Sequence, residues 1–111
     1  SALTIRQAWH VLVLHGHAPG ALAGLDPPHA IFLGCGAGDV ELLDAAIAAL
    51  REGGRLVVNA VTIASEASLL AYHGALGGEL TRIAVARAAP LGNETGWRPA
   101  MPITQWAWTK P

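Results

Sequence analysis

The fold class follows mainly from residues Ala30 to Val61, AIFLGCGAGDVELLDAAIAALREGGRLVVNAV. The two ends of this stretch, AIFL (30–33) and RLVVNAV (55–61), are short continuous apolar runs, which are typical of strands buried on both faces of a parallel sheet. Between them, residues 39–52 place apolar side chains at helical spacing and charged side chains at other positions, which predicts an amphipathic helix. The strand, helix and strand together predict one right-handed crossover unit.

Segments on both sides extend this unit. Upstream, VLVL (11–14) is another short apolar run and predicts a further buried strand. Downstream, we expect a second helix from about Thr62 to Leu76, with Thr62 as its N-cap and the pair Gly77-Gly78 as its stop.

The C-terminal third has a different pattern. Residues 80–88 and 103–109 alternate polar and apolar side chains, which predicts two half-exposed strands antiparallel to one another. The Gly- and Pro-rich residues 89–102 between them are predicted to form a long loop, and long loops within a small domain are often functional. The fold class is therefore α/β.

Composition limits the classes of function. The 111 residues suffice for one domain or part of one, and 52% hydrophobic with 14% charged residues indicate a folded chain. A net charge of −1 argues against binding to nucleic-acid phosphates. A single cysteine excludes an internal disulfide and favours a reducing, cytoplasmic setting, and no metal site or membrane span is expected.

A glycine cluster follows the AIFL strand. Gly34, Gly36 and Gly38 spell G-x-G-x-G before the predicted helix, a pattern that lets a ligand approach backbone amides. A dinucleotide or S-adenosylmethionine site would normally place an acid at the end of the next strand, where this chain has Asn59. That difference disfavours a nicotinamide-dependent oxidoreductase, and a plain glycine-lined turn remains the alternative.

Other candidate residues each have a structural alternative. Residues 15–22, HGHAPGAL, follow the VLVL strand at the edge where α/β folds bind ligands, although histidines on a surface loop are more common than metal ligands. Cys35 has no identifiable base beside it, so packing is the better interpretation. Arg98 is a candidate for binding a substrate carboxylate, although an exposed loop arginine is the usual case.

Four tryptophans are many for this length. Trp106 and Trp108 are two residues apart and would share one face of a strand. They are predicted to form either a flat wall for a planar ligand or part of the core or of an oligomer contact, and the second is favoured.

A family resemblance covers nearly the whole chain from about Val11 onward. The elements GGRLVVNAVTIASE, ARAAPLG and the terminal P-x-T-Q-W resemble the C-terminal domain of the precorrin-6Y C5,15-methyltransferases (decarboxylating) of cobalamin biosynthesis. The resemblance implies a Rossmann-like S-adenosylmethionine-dependent methyltransferase with a mostly parallel sheet and an antiparallel C-terminal strand. The implied reaction methylates a ring carbon of a precorrin, a tetrapyrrole, and removes carbon dioxide from an acetate side chain.

The resemblance also implies roles for individual residues. Asn59 is expected to line the reaction cleft as a catalytic residue and Arg98 to bind substrate. The cofactor-binding candidates lie in the loops after the VLVL and AIFL strands: Gly16, His17, Ala18, Gly34, Cys35 and Gly36. Relatives tend to have a third glycine where this chain has Cys35.

The family's first strand, with its glycine-rich motif, and its acid-bearing second strand are not among these residues. The chain therefore resembles the C-terminal portion of one methyltransferase domain, residues 1–111, and we expect it to act with the N-terminal portion or as a homo-oligomer. The VLVL strand is then expected to pair directly with AIFL, to recruit another molecule, or to be poorly ordered. A non-catalytic α/β subunit or interaction module is the alternative function.

Overall fold

The computed structural model describes residues 2–6, 11–15, 26–34 and 40–111. Within these ranges, strands and helices alternate through the middle of the chain and strands alone complete it. In chain order the elements are β1 (Ala2–Arg6), β2 (Val11–His15), β3 (Ala30–Leu33), α1 (Val40–Ala49), β4 (Arg55–Ala60), α2 (Ile63–Leu76), β5 (Glu79–Ile83), β6 (Ala86–Leu91), β7 (Glu94–Pro99) and β8 (Ile103–Thr109). Neither helix of the described ranges is long and apolar enough to cross a membrane.

The main sheet has the strand order β1-β2-β3-β4-β8-β5. Strands β2, β3 and β4 pair in parallel, and β8 is antiparallel to both β4 and β5. Four strands, β2 to β5, therefore run in one direction, which confirms a mostly parallel sheet with an antiparallel C-terminal strand. The sheet also contains β1, antiparallel to β2, which we did not predict.

Strand β2 pairs directly with β3, which is the first of the three arrangements expected for it. The register places Val11 opposite Ala30 and Leu14 opposite Leu33. Pairing with β1 on one side and β3 on the other supplies β2 with backbone hydrogen bonds along both edges.

Helix α1 is shorter than the predicted 39–52. Its buried side chains are Leu42, Leu43 and Ala46, with Leu50 buried just beyond its end. Val40, which the apolar pattern placed on this face, is half exposed instead. The Lys110 ammonium group contacts the C-terminal end of the helix. Its Nζ donates to the carbonyl oxygen of Ile47 at 2.8 Å and to that of Leu50, just beyond the helix, at 2.9 Å.

Helix α2 confirms the prediction closely. Thr62 is its N-cap, because its Oγ1 accepts a hydrogen bond from the Ser65 amide at 3.1 Å. Gly77 ends the helix at φ 78°, and its amide donates to the His73 carbonyl.

The structure has two strands, β5 and β6, where one strand was predicted at 80–88. The prediction of a long loop at 89–102 is wrong, because most of these residues belong to β6 and β7. Strand β5 pairs with β8 as expected, whereas β6 pairs with β7 in a separate two-stranded sheet. A two-residue turn, Gly92-Asn93, joins β6 to β7, and Gly92 adopts φ 61°. Such short turns are the commonest connections in hairpins because their twist matches that of the strands.

The core lies on one face of the main sheet, beneath both helices. Trp106 and Trp108 belong to it, at 0% and 7% exposure, with their rings stacked at 5.8 Å between centroids. Their indole nitrogens donate to the carbonyl oxygens of Gly77 and Leu76. The core interpretation of these tryptophans is confirmed, and a ligand-facing wall is excluded because the rings are buried.

Candidate active site

The carboxyl ends of the parallel strands form one edge of the main sheet. Leu33 lies opposite Val58 in the parallel pair β3–β4, so the next residues along the two strands are Gly34 and Asn59. Both are half-buried. Open α/β sheets bind ligands at this edge, which is where the sequence predicted the reaction cleft.

Asn59 is held in place by one hydrogen bond. The Gln105 side chain, directly opposite on β8, donates from Nε2 to Asn59 Oδ1 over 2.9 Å. The bond fixes the orientation of the amide, because it requires the oxygen to face Gln105. In the part of the chain that the structure describes, Asn59 Nδ2 makes no hydrogen bond. The half-buried amide therefore keeps donors available for an external acceptor.

A second polar cluster lies on the opposite face of the same edge. Glu66, in the first turn of α2, accepts hydrogen bonds at Oε2 from Arg82 over 2.7 Å and from Thr104 over 2.6 Å. Thr104 is 6% exposed and pairs with Ala60 at the end of β4. Burying a hydroxyl group is tolerable here because it has a partner. The cluster ties the start of α2 to β5 and β8, below the strand that carries Asn59.

Most of the other predicted site residues lie in segments that the structure does not describe. Gly16, His17, Ala18, Cys35 and Gly36 lie outside the described residues, and their roles stay predictions.

Arg98 lies on β7, in the separate hairpin, and is exposed. The structure therefore places it in a different sheet from Gly34 and Asn59.

Two features of the site were missed by sequence reasoning. Gln105 has no motif of its own, and only the register of β4 against β8 brings it to Asn59. Glu66 lies in α2, but its partners Arg82 and Thr104 come from two strands, β5 and β8, and no local pattern predicts that they meet. The sequence offered one indication of these contacts. The alternation of residues 103–109 placed Thr104 and Gln105 on opposite faces of a strand.

Comparison with known proteins gives the fold and the family. The C-terminal domain of precorrin-6Y C5,15-methyltransferase from Rhodobacter capsulatus is 43% identical with a TM-score of 0.74, over 86% of this chain and 51% of that one. Precorrin-6Y C5,15-methyltransferase from Geobacter metallireducens is 26% identical with a TM-score of 0.67, over 84% of this chain and 51% of that one. The fold is that of Rossmann-like S-adenosylmethionine-dependent methyltransferases.

Sequence similarity agrees with this result. Precorrin-6Y C(5,15)-methyltransferase [decarboxylating] from Sinorhizobium sp is 59% identical over 98 residues, 88% of this chain. The chain spans only 24% of the length of that relative. Residues 3–110 match the family described as precorrin methyltransferase domain. Because that match covers almost every residue, including Gly34, Asn59 and Gln105, the chain belongs to the precorrin methyltransferase domain family.

Proposed function

We propose that this chain is part of an enzyme that methylates and decarboxylates a precorrin in cobalamin biosynthesis, with S-adenosylmethionine as methyl donor. The observation that carries the proposal is the family match over residues 3–110. The 59% identical relative bears the name of a decarboxylating precorrin methyltransferase, which supports the same reaction.

The residues at the carboxyl edge fit such a cofactor and substrate. Gly34 follows β3 without a side chain, and Asn59 supplies unpaired amide donors beside it. Gly34 would contact the cofactor, together with the residues predicted in the two loops outside the described ranges. S-adenosylmethionine supplies an electrophilic methyl group when bound.

Asn59 is proposed to orient the substrate. Its Nδ2 would donate to a carbonyl or carboxylate oxygen at the macrocycle edge, while Gln105 holds the amide plane. Methyl transfer depends on in-line placement of the nucleophilic carbon, so positioning supplies much of the rate. In the decarboxylation, the carbon–carbon bond to the carboxylate breaks, carbon dioxide leaves, and the electron pair passes into the conjugated macrocycle before a proton is taken up.

We further propose that the enzyme works in the cytoplasm, and that these residues act with an N-terminal portion of the same domain or in a homo-oligomer. The single cysteine supports the compartment. The chain spans 24% of the Sinorhizobium relative and 51% of the Rhodobacter domain. These fractions support the proposal that further residues complete the site.

The test of the site uses a complete methyltransferase domain built with these residues as its C-terminal half. Asn59→Ala should lower turnover at least about tenfold, because a donor aimed at the reacting substrate is lost. It should lower the free energy of unfolding by only about 1 kcal/mol, since its one hydrogen bond is half-buried.

Gln105→Ala is the matched control, because it removes the same hydrogen bond and leaves the Asn59 amide in place. We expect it to cost similar stability and less turnover than Asn59→Ala. Equal losses of turnover in the two variants, or a large fall in melting temperature with unchanged turnover for Asn59→Ala, would show that Asn59 is a structural group.

A further inference from the structure

The β6–β7 hairpin begins and ends at the edge of the sheet that carries Asn59. Strand β5 ends at Ile83 and β8 begins at Ile103, and these two residues are paired. The hairpin is closed at its base by a hydrogen bond from the Ala100 amide to the Val85 carbonyl oxygen, 2.8 Å long. Residues on the hairpin therefore project from the edge at which the proposed substrate binds.

The hairpin has two chemically different faces. Directly opposed residues of an antiparallel pair share a face. Ala88 opposite Trp97 belongs to an apolar face, on which Trp97 is 77% exposed. Arg87 lies opposite Arg98 and so belongs to the other face, which is basic.

The arginine pair is electrostatically unfavourable as it stands. Like charges directly opposite one another destabilise a two-stranded sheet, and an isolated hairpin is only marginally stable in water. Within the described residues, neither Arg87 nor Arg98 makes a side-chain ion pair or hydrogen bond. Glu94 is on the same face but opposite Leu91, at the far end of the hairpin from Arg98. Two guanidinium groups at directly opposed positions can both contact one partner that carries more than one negative charge.

We infer that Arg87 and Arg98 together form a site for the carboxylate side chains of the tetrapyrrole, a role that rests on the proposed function. Each guanidinium group presents a planar fork of donors that matches a carboxylate. An open groove of about 160 Å³ beside Arg98 has room for a carboxylate arm. Arg87 does not line this groove, whose other lining residues are Ala89, Pro90, Leu91, Gly96, Trp97 and Pro99. The groove is too small for a whole macrocycle, since sites for larger ligands usually exceed about 300 Å³.

Two other partners fit this face less well. A nucleic acid would need an extended basic surface, and the chain carries a net charge of −1. A second copy meeting the same face across a two-fold axis would bring four guanidinium groups together. Pro90 and Pro99 also lie on the hairpin strands, where they lack the amide donors that another strand would need.

The test is a titration of this chain with uroporphyrin, a stable tetrapyrrole that carries an acetate and a propionate on every ring. The double variant Arg87→Gln/Arg98→Gln should bind it at least about tenfold more weakly than the unmodified chain, because two charge-assisted contacts are lost. Arg55→Gln is a control for the loss of a positive charge elsewhere, since it removes one such charge from an exposed residue at the opposite edge of the sheet and should leave affinity unchanged. Affinity of the unmodified chain should fall with added salt, and that of the double variant should change much less.

A single variant with effects of opposite sign separates binding from folding. Arg98→Glu places opposite charges across the hairpin, so the free chain should melt at a higher temperature while uroporphyrin affinity falls at least about tenfold.

Equal uroporphyrin affinity in the unmodified chain and the double variant would overturn the inference and leave the proposed reaction standing. Failure of the unmodified chain to bind uroporphyrin would also overturn it, and the reaction would then be decided by product analysis of a complete domain. A change of association state without a change of affinity would assign the pair to a contact between copies, which equally contradicts the inference.

Discussion

Tyr72 joins the two helices through its hydroxyl group. Its ring packs against Trp106 with 5.8 Å between centroids, and its hydroxyl donates to Asp44 Oδ1 of α1 over 2.5 Å. Burial first, and then the hydrogen bond to Asp44 and the negative charge of that carboxylate, together raise the pKa of Tyr72 from 10.0 to about 12.

The tyrosine gives a stability prediction at alkaline pH. Because the folded pKa is raised, the stabilisation is fully present below pH 10.0 and is lost as the pH rises towards about 12. Tyr72 is the only tyrosine, so ultraviolet absorbance of the ionised phenol follows it without overlap from another tyrosine. We expect Asp44→Asn to lower the observed pKa while leaving it above the ordinary value, since burial is the larger cause. A native pKa at the ordinary value in the unmodified chain would contradict the packing described for this side chain.

Asn59 shows which parts of the candidate site could be predicted from the sequence and which could not. Its place at the end of a central strand follows from the apolar run before it, so the position was predictable from one local pattern. The partner Gln105 was not, because pairing between residues 46 positions apart depends on the register of β4 against β8. Local periodicity carries no information about that register.

The turn from α2 to β5 requires glycine at two positions, for reasons that two variants can distinguish. Gly77 and Gly78 both have positive φ, 78° and 96°. A Cβ on Gly77 would meet no other atom within 4 Å, whereas one on Gly78 would lie 2.6 Å from the Ala107 carbonyl oxygen.

The two alanine variants therefore form a matched pair. Gly77→Ala should lower the free energy of unfolding by about 1 to 3 kcal/mol, because φ 78° with ψ −152° is a backbone conformation that residues other than glycine rarely adopt. Gly78→Ala should cost about 1 to 3 kcal/mol more, because it adds a clash with the backbone of β8 to that strain. Urea unfolding measures both, and equal losses would show that α2 is not held this close to β8.

The hairpin shows why one element escaped prediction. Gly92-Asn93 is a two-residue turn of the kind that joins antiparallel strands, but Pro90 and Pro99 made the flanking residues resemble a loop. Proline is tolerated here because each strand of a two-stranded sheet has a free edge that needs no amide donor. Helix α2 was predictable by contrast, since its cap and its stop are both local signals.

In the main sheet, β2 pairs directly with β3, as was expected of these residues without the family's first two strands. The glycine-rich loop and ribose-binding acid expected of the family's first two strands are not among these 111 residues. We therefore expect the isolated chain to bind S-adenosylmethionine weakly or not at all, because affinity depends on polar groups that converge from several strands. Isothermal titration checks this, and low-micromolar affinity would show that the residues present suffice.

Product analysis by mass spectrometry tests the proposal that these residues serve a decarboxylating precorrin methyltransferase. A complete methyltransferase domain built with this chain as its C-terminal half would be incubated with S-adenosylmethionine and a precorrin-6Y substrate. We expect a product that has gained a methyl group and lost carbon dioxide, formed much more slowly by the Asn59→Ala variant. A folded, cofactor-binding domain that returns the precorrin with neither change would contradict it.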